Sequence, residues 1–205
     1  MSDSSVFTRF LIAGGVLGPL LFILVFLVEG ATRPGYRAWR QMVSELCLGK
    51  RGWMQVANFL ICGLLLLGFS VGLGQVLPSG PGTIWGPVLL GLFGLGLMLS
   101  GLFVGEPHTP QGMIHGLAGL VVFSSLPLAS FVLAWRFASN PAWHGWALYS
   151  LVTGIAVVGL FITTDIVSNL NQKGRLENAP TGLLQRLTIL AGWSWIALLA
   201  LRYLL

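Results

Sequence analysis

Charge is scarce in this chain. Only 8% of its 205 residues are charged, and 55% are hydrophobic. A soluble domain carries about 25% charged residues to cover its surface, so a soluble globular fold is excluded. The two cysteines, Cys47 and Cys62, are too few for a disulfide framework. Cys62 falls well inside a hydrophobic run and Cys47 in a loop, so both are expected as free thiols. Six acidic residues stand against eleven Lys and Arg, a net charge of +5. The cations are spread over helix ends and short loops, as anchors of membrane helices are, and form no patch for nucleic acid. There is no low-complexity tract, no internal repeat and no expected soluble domain at either end.

What the chain does have is long apolar runs. A membrane-spanning helix needs roughly 20 apolar residues, and six runs qualify: 10–28, 54–77, 85–104, 114–137, 145–167 and 182–204. The expectation is an all-α membrane protein, one six-helix bundle over residues 1–205. The first run is too long for a signal-peptide core, and Glu29 interrupts the only small-residue cleavage pattern before Ala31, so it reads as a retained helix. Glycine is abundant, with 28 residues. The patterns Gly14-x-x-x-Gly18, Gly68-x-x-x-Gly72 and Gly96-x-x-x-Ser100 predict close helix approach. Pro19 and Pro127 fall inside helices one and four and predict local kinks. Ser124 and Ser125 near that kink, and Thr163 and Thr164, are expected to bond backbone carbonyls.

Trp53, Trp85, Trp135, Trp143 and Trp146 mark span boundaries, as an aromatic belt does, whereas Trp193 and Trp195 fall mid-span and must face protein, lipid tails or a ligand. In the first loop, Tyr36, Trp39, Val43, Leu46 and Cys47 recur at helical spacing, with Arg37, Gln41, Ser44 and Glu45 on the other side. Segment 33–53 is therefore expected as a short amphipathic helix lying in the interface.

With six spans, loops one, three and five share one side of the membrane. Nearly every distinctive polar residue lies in or near them: Tyr36, Ser44, Glu45, Asn58, Glu106, His108, His115, Asp165, Gln185 and Arg186. Ionisable groups in spans usually face the bundle interior and are candidates for function. Ser44 or Thr109 near His115, oriented by Glu45 or Asp165, would make a nucleophile, base and orienter. Arg186 is close enough in depth to pair with Asp165 or Glu45. Tyr36, Asn58, Gln185, Arg186, Trp193 and Trp195 are the candidate ligand contacts. Glu106, His108 and His115 could ligate a metal, but their spacing matches no strong metal pattern and Pro107 stiffens the loop. Haem would need a buried His pair on facing helices, which is missing. The middles of helices one, three and six carry almost no polar groups, which disfavours a channel or transporter.

A set of motifs then resembles a known family. Gly18-Pro19-Leu20-Leu21-Phe22 leads to Val28-Glu29-Gly30-Ala31-Thr32-Arg33-Pro34-Gly35-Tyr36, then Ser44-Glu45-Leu46 with Leu48-Gly49 and Gly52-Trp53. Helix three closes with Gly101-Leu102-Phe103-Val104 and Glu106-Pro107, His115 opens helix four, and Gly182-Leu183-Leu184-Gln185-Arg186 opens helix six. Together they resemble the multi-pass membrane proteins of bacteria and archaea grouped as domain of unknown function 998. The resemblance implies fold and membrane location, and no established activity. Relatives often carry an acidic residue where this chain has Gly116, which removes one possible orienter for His115. The resemblance implies termini inside. The Lys and Arg count implies termini outside, since Arg33, Arg37, Arg40, Lys50, Arg51, Lys173, Arg175 and Arg186 face Arg9, Arg136 and Arg202.

Three functions remain in play. The first is an accessory, assembly or sensing subunit of a membrane complex, with a membrane-protein partner. The second is a lipid-phase hydrolase or transferase around His115. The third is a binder of a lipid, quinone or pigment. Expected surroundings are membrane lipids in the cytoplasmic membrane; no cofactor is specified.

Overall fold

The computed structural model describes residues 5–80, 82–106 and 108–205. Pro107, expected to stiffen the third loop, lies outside them. The described residues form six long α-helices: α1 (Val6–Thr32), α2 (Gly52–Val76), α3 (Trp85–Leu102), α4 (Pro110–Ala138), α5 (His144–Gln172) and α6 (Thr181–Leu204). All six are long and apolar enough to cross a membrane, and the chain is a multi-pass membrane protein. Several helices outrun their apolar runs because local chemistry starts them early. At α4, Thr109 Oγ1 accepts the Gly112 amide at 3.1 Å and Pro110 occupies the first turn, where no amide partner is needed.

The helices form a ring. Each packs on its sequence neighbours, and α6 closes on α1. Glycine makes the tightest seams. A Cβ on Gly63 would sit 2.7 Å from the Gly94 carbonyl oxygen, and one on Gly94 would sit 2.8 Å from the Gly63 oxygen, so only glycine fits both sides of the α2–α3 seam. Gly14 against Leu65, Gly72 against Ile12 and Gly96 against Val122 work the same way, as the small-residue patterns predict. Thr163 and Thr164 donate to the carbonyls of Gly159 and Leu160, each at 2.7 Å, and Ser125 donates to Val122 at 3.4 Å. Trp53, Trp85 and Trp135 are exposed near helix ends, and Cys47 and Cys62 are buried free thiols. The ring is not equally closed all round: α5 has 28% of its apolar window buried against 39% or more in the others, so its flank is the open one.

Segment 33–53 departs from the expected amphipathic helix. It runs as turns, then as a short 3-10 helix over Val43–Cys47 that buries Val43, Leu46 and Cys47. The cause is long-range bonding to the start of α6. Thr181 Oγ1 donates to the Arg40 carbonyl, the Leu183 amide to the Trp39 carbonyl at 3.1 Å, and the Val43 amide to Gln185 Oε1 at 2.7 Å. Backbone groups taken by another element cannot close an α-helical ladder. Segment 33–53 thus folds over one end of the ring.

Candidate functional site

Under that loop the ring encloses a chamber of about 380 Å³. Every helix contributes: Phe22 from α1, Phe59 from α2, Leu97 and Ser100 from α3, His115 and Phe123 from α4, Phe161 and Asp165 from α5, and Gln185 and Trp193 from α6. Met42, Val43 and Ser44 form its loop side. The deep wall is apolar. Trp193 stacks on Phe22 at 4.2 Å and meets Phe93 edge-on at 5.5 Å. The polar groups sit at the mouth, which continues into an outer space of about 920 Å³ bordered by Arg37, Arg40 and Glu45; both spaces share Met42, Ser44, His115 and Gly116.

Two glycines of α4 leave room for the chamber. Gly116 and Gly119 line it, and a Cβ on either would meet nothing within 4 Å. Helices α4 and α5 touch through Phe123 stacked on Phe161 at 4.9 Å, and through Gly154 against Ser130 and Phe131. Beyond that stack, towards the third and fifth loops, Gly116, Leu120 and Asp165 border the chamber and are exposed, so it opens sideways between α4 and α5.

His115 sits at the mouth with a defined tautomer. Its Nδ1 lies 2.8 Å from the Ser100 carbonyl oxygen. A carbonyl only accepts, so Nδ1 carries the proton and the neutral ring keeps its lone pair on Nε2. Among the described residues Nε2 has no partner, nor has the Ser44 hydroxyl. Gln185 gives its Oε1 to the Val43 amide, which leaves its Nε2 donor free at the chamber wall. The Trp193 indole N–H has no acceptor among the described residues. The mouth therefore offers the Gln185 amide donor, a hydroxyl, an imidazole lone pair and the Asp165 carboxylate, with the Trp193 indole N–H in the deeper wall.

The expected carboxylate orienter for His115 is absent. Asp165 Oδ2 accepts from Asn169 at 3.1 Å, and Glu45 accepts from the Met42 amide at 2.7 Å and from Gln41 at 3.1 Å, capping its own short helix. The orienter is the Ser100 carbonyl, which fixes the tautomer but brings no negative charge to stabilise an imidazolium.

The remaining candidates divide cleanly. Arg186 does not pair with Asp165 or Glu45. It is buried, donates to the carbonyls of Ala38, Gln41 and Gly182 at 2.6, 2.9 and 2.9 Å, and also to the Tyr36 hydroxyl. Tyr36 lies within the first loop, and burial raises its phenol above the ordinary value despite the nearby Arg186. Asn58 is buried and donates to the Phe22 carbonyl at 3.2 Å. Trp195 is fully buried, its indole donating to Ser150 at 2.9 Å. Tyr36, Asn58, Arg186 and Trp195 are thus parts of the frame that holds the chamber, outside its lining. Glu106 and His108 are exposed, and no group of three metal-ligating side chains is found among the described residues.

Sequence reasoning missed two features. Gly116, read as the place of a missing acidic residue, and Gly119, not singled out at all, line the chamber. Glu29 is 3% exposed and pairs with Arg33 at 3.3 Å and with Arg51, tying the end of α1 to the start of α2. An acidic residue ending an apolar run, followed by arginines 4 and 22 positions on, was the available signal.

No curated protein and no solved structure matches the chain. A family model does, over residues 16–202, and those residues carry the Gly63–Gly94 seam, the first loop, His115 and the opening of α6. A match of that extent settles membership: the chain belongs to the family described as protein of unknown function DUF998.

Proposed function

We propose that this protein binds one amphiphilic molecule of the cytoplasmic membrane, a lipid, quinone or pigment, with its apolar part in the chamber and its polar end at the mouth. One observation carries this reading: a chamber of about 380 Å³, lined by all six helices, apolar at depth and polar at one end. Its size falls in the usual range for ligand pockets, roughly 300–1,000 Å³. Unpartnered groups at Ser44, His115 and Gln185 give a polar end something to bond. The opening between α4 and α5 lets an apolar chain arrive from the lipid side. An accessory or sensing role within a larger membrane complex fits the same chamber, with the bound molecule as the signal.

His115 supports a second reading, a lipid-phase hydrolase or transferase. With Nδ1 held by Ser100, Nε2 is the nitrogen that would take a proton from the Ser44 hydroxyl or from water. The lack of a carboxylate behind the ring places this second.

The test is native mass spectrometry of protein extracted in mild detergent from its own membranes. The binder reading expects one small amphiphile retained per chain. A ligand-free wild-type preparation, still folded, would overturn it. A molecule retained intact by Ser44→Ala and His115→Ala but chemically altered by wild type would favour the enzyme.

A further inference from the structure

The opposite end of the ring, away from the chamber, holds a second cavity of about 600 Å³ between the α2–α3 turn and the last turns of α4 and α6. Its charge is one-sided. Among the described residues the acidic side chains are Glu29, Glu45, Glu106, Asp165 and Glu177, and all lie on the end that carries loops one, three and five. The second cavity is bordered by Arg136 and Arg202. Both ion pairs found among the described residues involve Glu29, so neither guanidinium has a carboxylate partner.

The two side-chain amides of this cavity present donors. Gln75 Oε1 is taken by the Thr8 hydroxyl at 2.7 Å, and Asn140 Oδ1 by the Ala142 amide at 3.1 Å. Each amide is left with its NH₂ unengaged. Arg136 spends Nη2 on the Pro78 and Ser79 carbonyls at 3.2 and 3.4 Å, while its Nε is buried without an acceptor. A buried N–H of a guanidinium with no partner is costly, and an incoming acceptor removes that cost. Arg202 is fixed over the Trp143 ring at 5.2 Å, which holds the second charge beside the first.

We infer that this cavity binds a phosphate oxyanion, and that its source is the headgroup of an anionic phospholipid. Two guanidiniums and two free amide NH₂ groups match an acceptor-only ligand with several oxygens. The site sits at the end of four spans, beside Trp143 and Tyr203, where headgroups and interfacial aromatics meet. The inference is independent of the chamber.

The experiment titrates the purified full chain, in uncharged detergent, with phosphatidylglycerol, phosphatidylcholine or inorganic phosphate, and counts bound molecules by native mass spectrometry. Phosphatidylglycerol should be retained at least about tenfold more strongly than phosphatidylcholine. The double variant Arg136→Gln, Arg202→Gln should lose that preference, and the control Arg37→Gln, Arg40→Gln at the other end should keep it. Gln75→Glu covers the case where the double variant does not fold: it can still accept from Thr8, but sets a carboxylate in the donor ring and should also lose the preference. Millimolar phosphate that displaces the lipid, or binds where the lipid does not, would support the oxyanion site; the second case assigns it to a soluble phosphate. Equal retention of both lipids with no phosphate effect overturns the inference, as does a preference lost equally in the control.

Discussion

Arg186 keeps its charge inside the protein without a carboxylate. Its nitrogens meet the carbonyls of Ala38, Gln41 and Gly182, and the residue is 8% exposed. Carbonyl dipoles replace the ion pair that spacing suggested, because the chain 145 positions earlier folds over α6. Arg186→Leu strands those carbonyls and should cost about 3 kcal/mol, read as a lower unfolding temperature in detergent. Protease should then cut within the first loop before global unfolding. Glu29→Gln should cost about 2 kcal/mol in the same assay, since Arg33 and Arg51 lose their shared partner. Cys47 gives a pH signature. Burial pushes its thiol from 9.0 up to about 12. A group whose folded value is raised stabilises fully below its unfolded value and loses that contribution as pH rises through the folded one. Stability from Cys47 is therefore intact below about pH 9 and declines towards pH 12. A maleimide at pH 8 should label Cys47 only after denaturant is added.

At the scale of elements, the six spans were legible because lipid imposes a length and a composition on each helix separately. Seams were partly legible. The patterns at Gly14, Gly72 and Gly96 meet their neighbours, yet the two-sided contact of Gly63 with Gly94 needs a glycine on each of two helices and leaves no mark in either alone. Gly63→Ala should destabilise by about 2 kcal/mol because its Cβ would meet the Gly94 carbonyl oxygen at 2.7 Å, and backbone cannot yield as the Met98 side chain at 2.5 Å can. Gly119→Ala meets nothing within 4 Å and should be neutral or stabilise by up to about 1 kcal/mol. Thermal unfolding of the two variants side by side separates seam glycines from chamber glycines. Segment 33–53 illustrates the converse limit. Its apolar spacing is helical, but its amides and carbonyls are claimed by Thr181, Leu183, Gln185 and Arg186, so local periodicity misleads where long-range partners outbid it.

Over the whole molecule, the sequence already placed Ser44, His115, Asp165 and Gln185 on one side of the membrane, because loops one, three and five must share it. Whether they faced one space was a question of ring closure, and α1 against α6 answers it. The two ends then differ in kind. One carries every acidic side chain of the described residues and an amphiphile-shaped chamber; the other carries a cavity whose two guanidiniums have no carboxylate partner among the described residues. Glycine seams set the helix spacing and a buried apolar core that includes Phe22, Phe69, Phe93 and Trp195 fills the middle, so the chamber is confined to the end under the first loop.

The most direct test of the chamber compares wild type with Gly119→Leu, extracted identically from native membranes, by counting small amphiphiles retained per chain. The space facing Gly119 is open, so the leucine should occupy the chamber while the unfolding temperature stays unchanged. The account predicts one retained molecule in wild type and none in the variant. Equal retention in both, at equal stability, would contradict it.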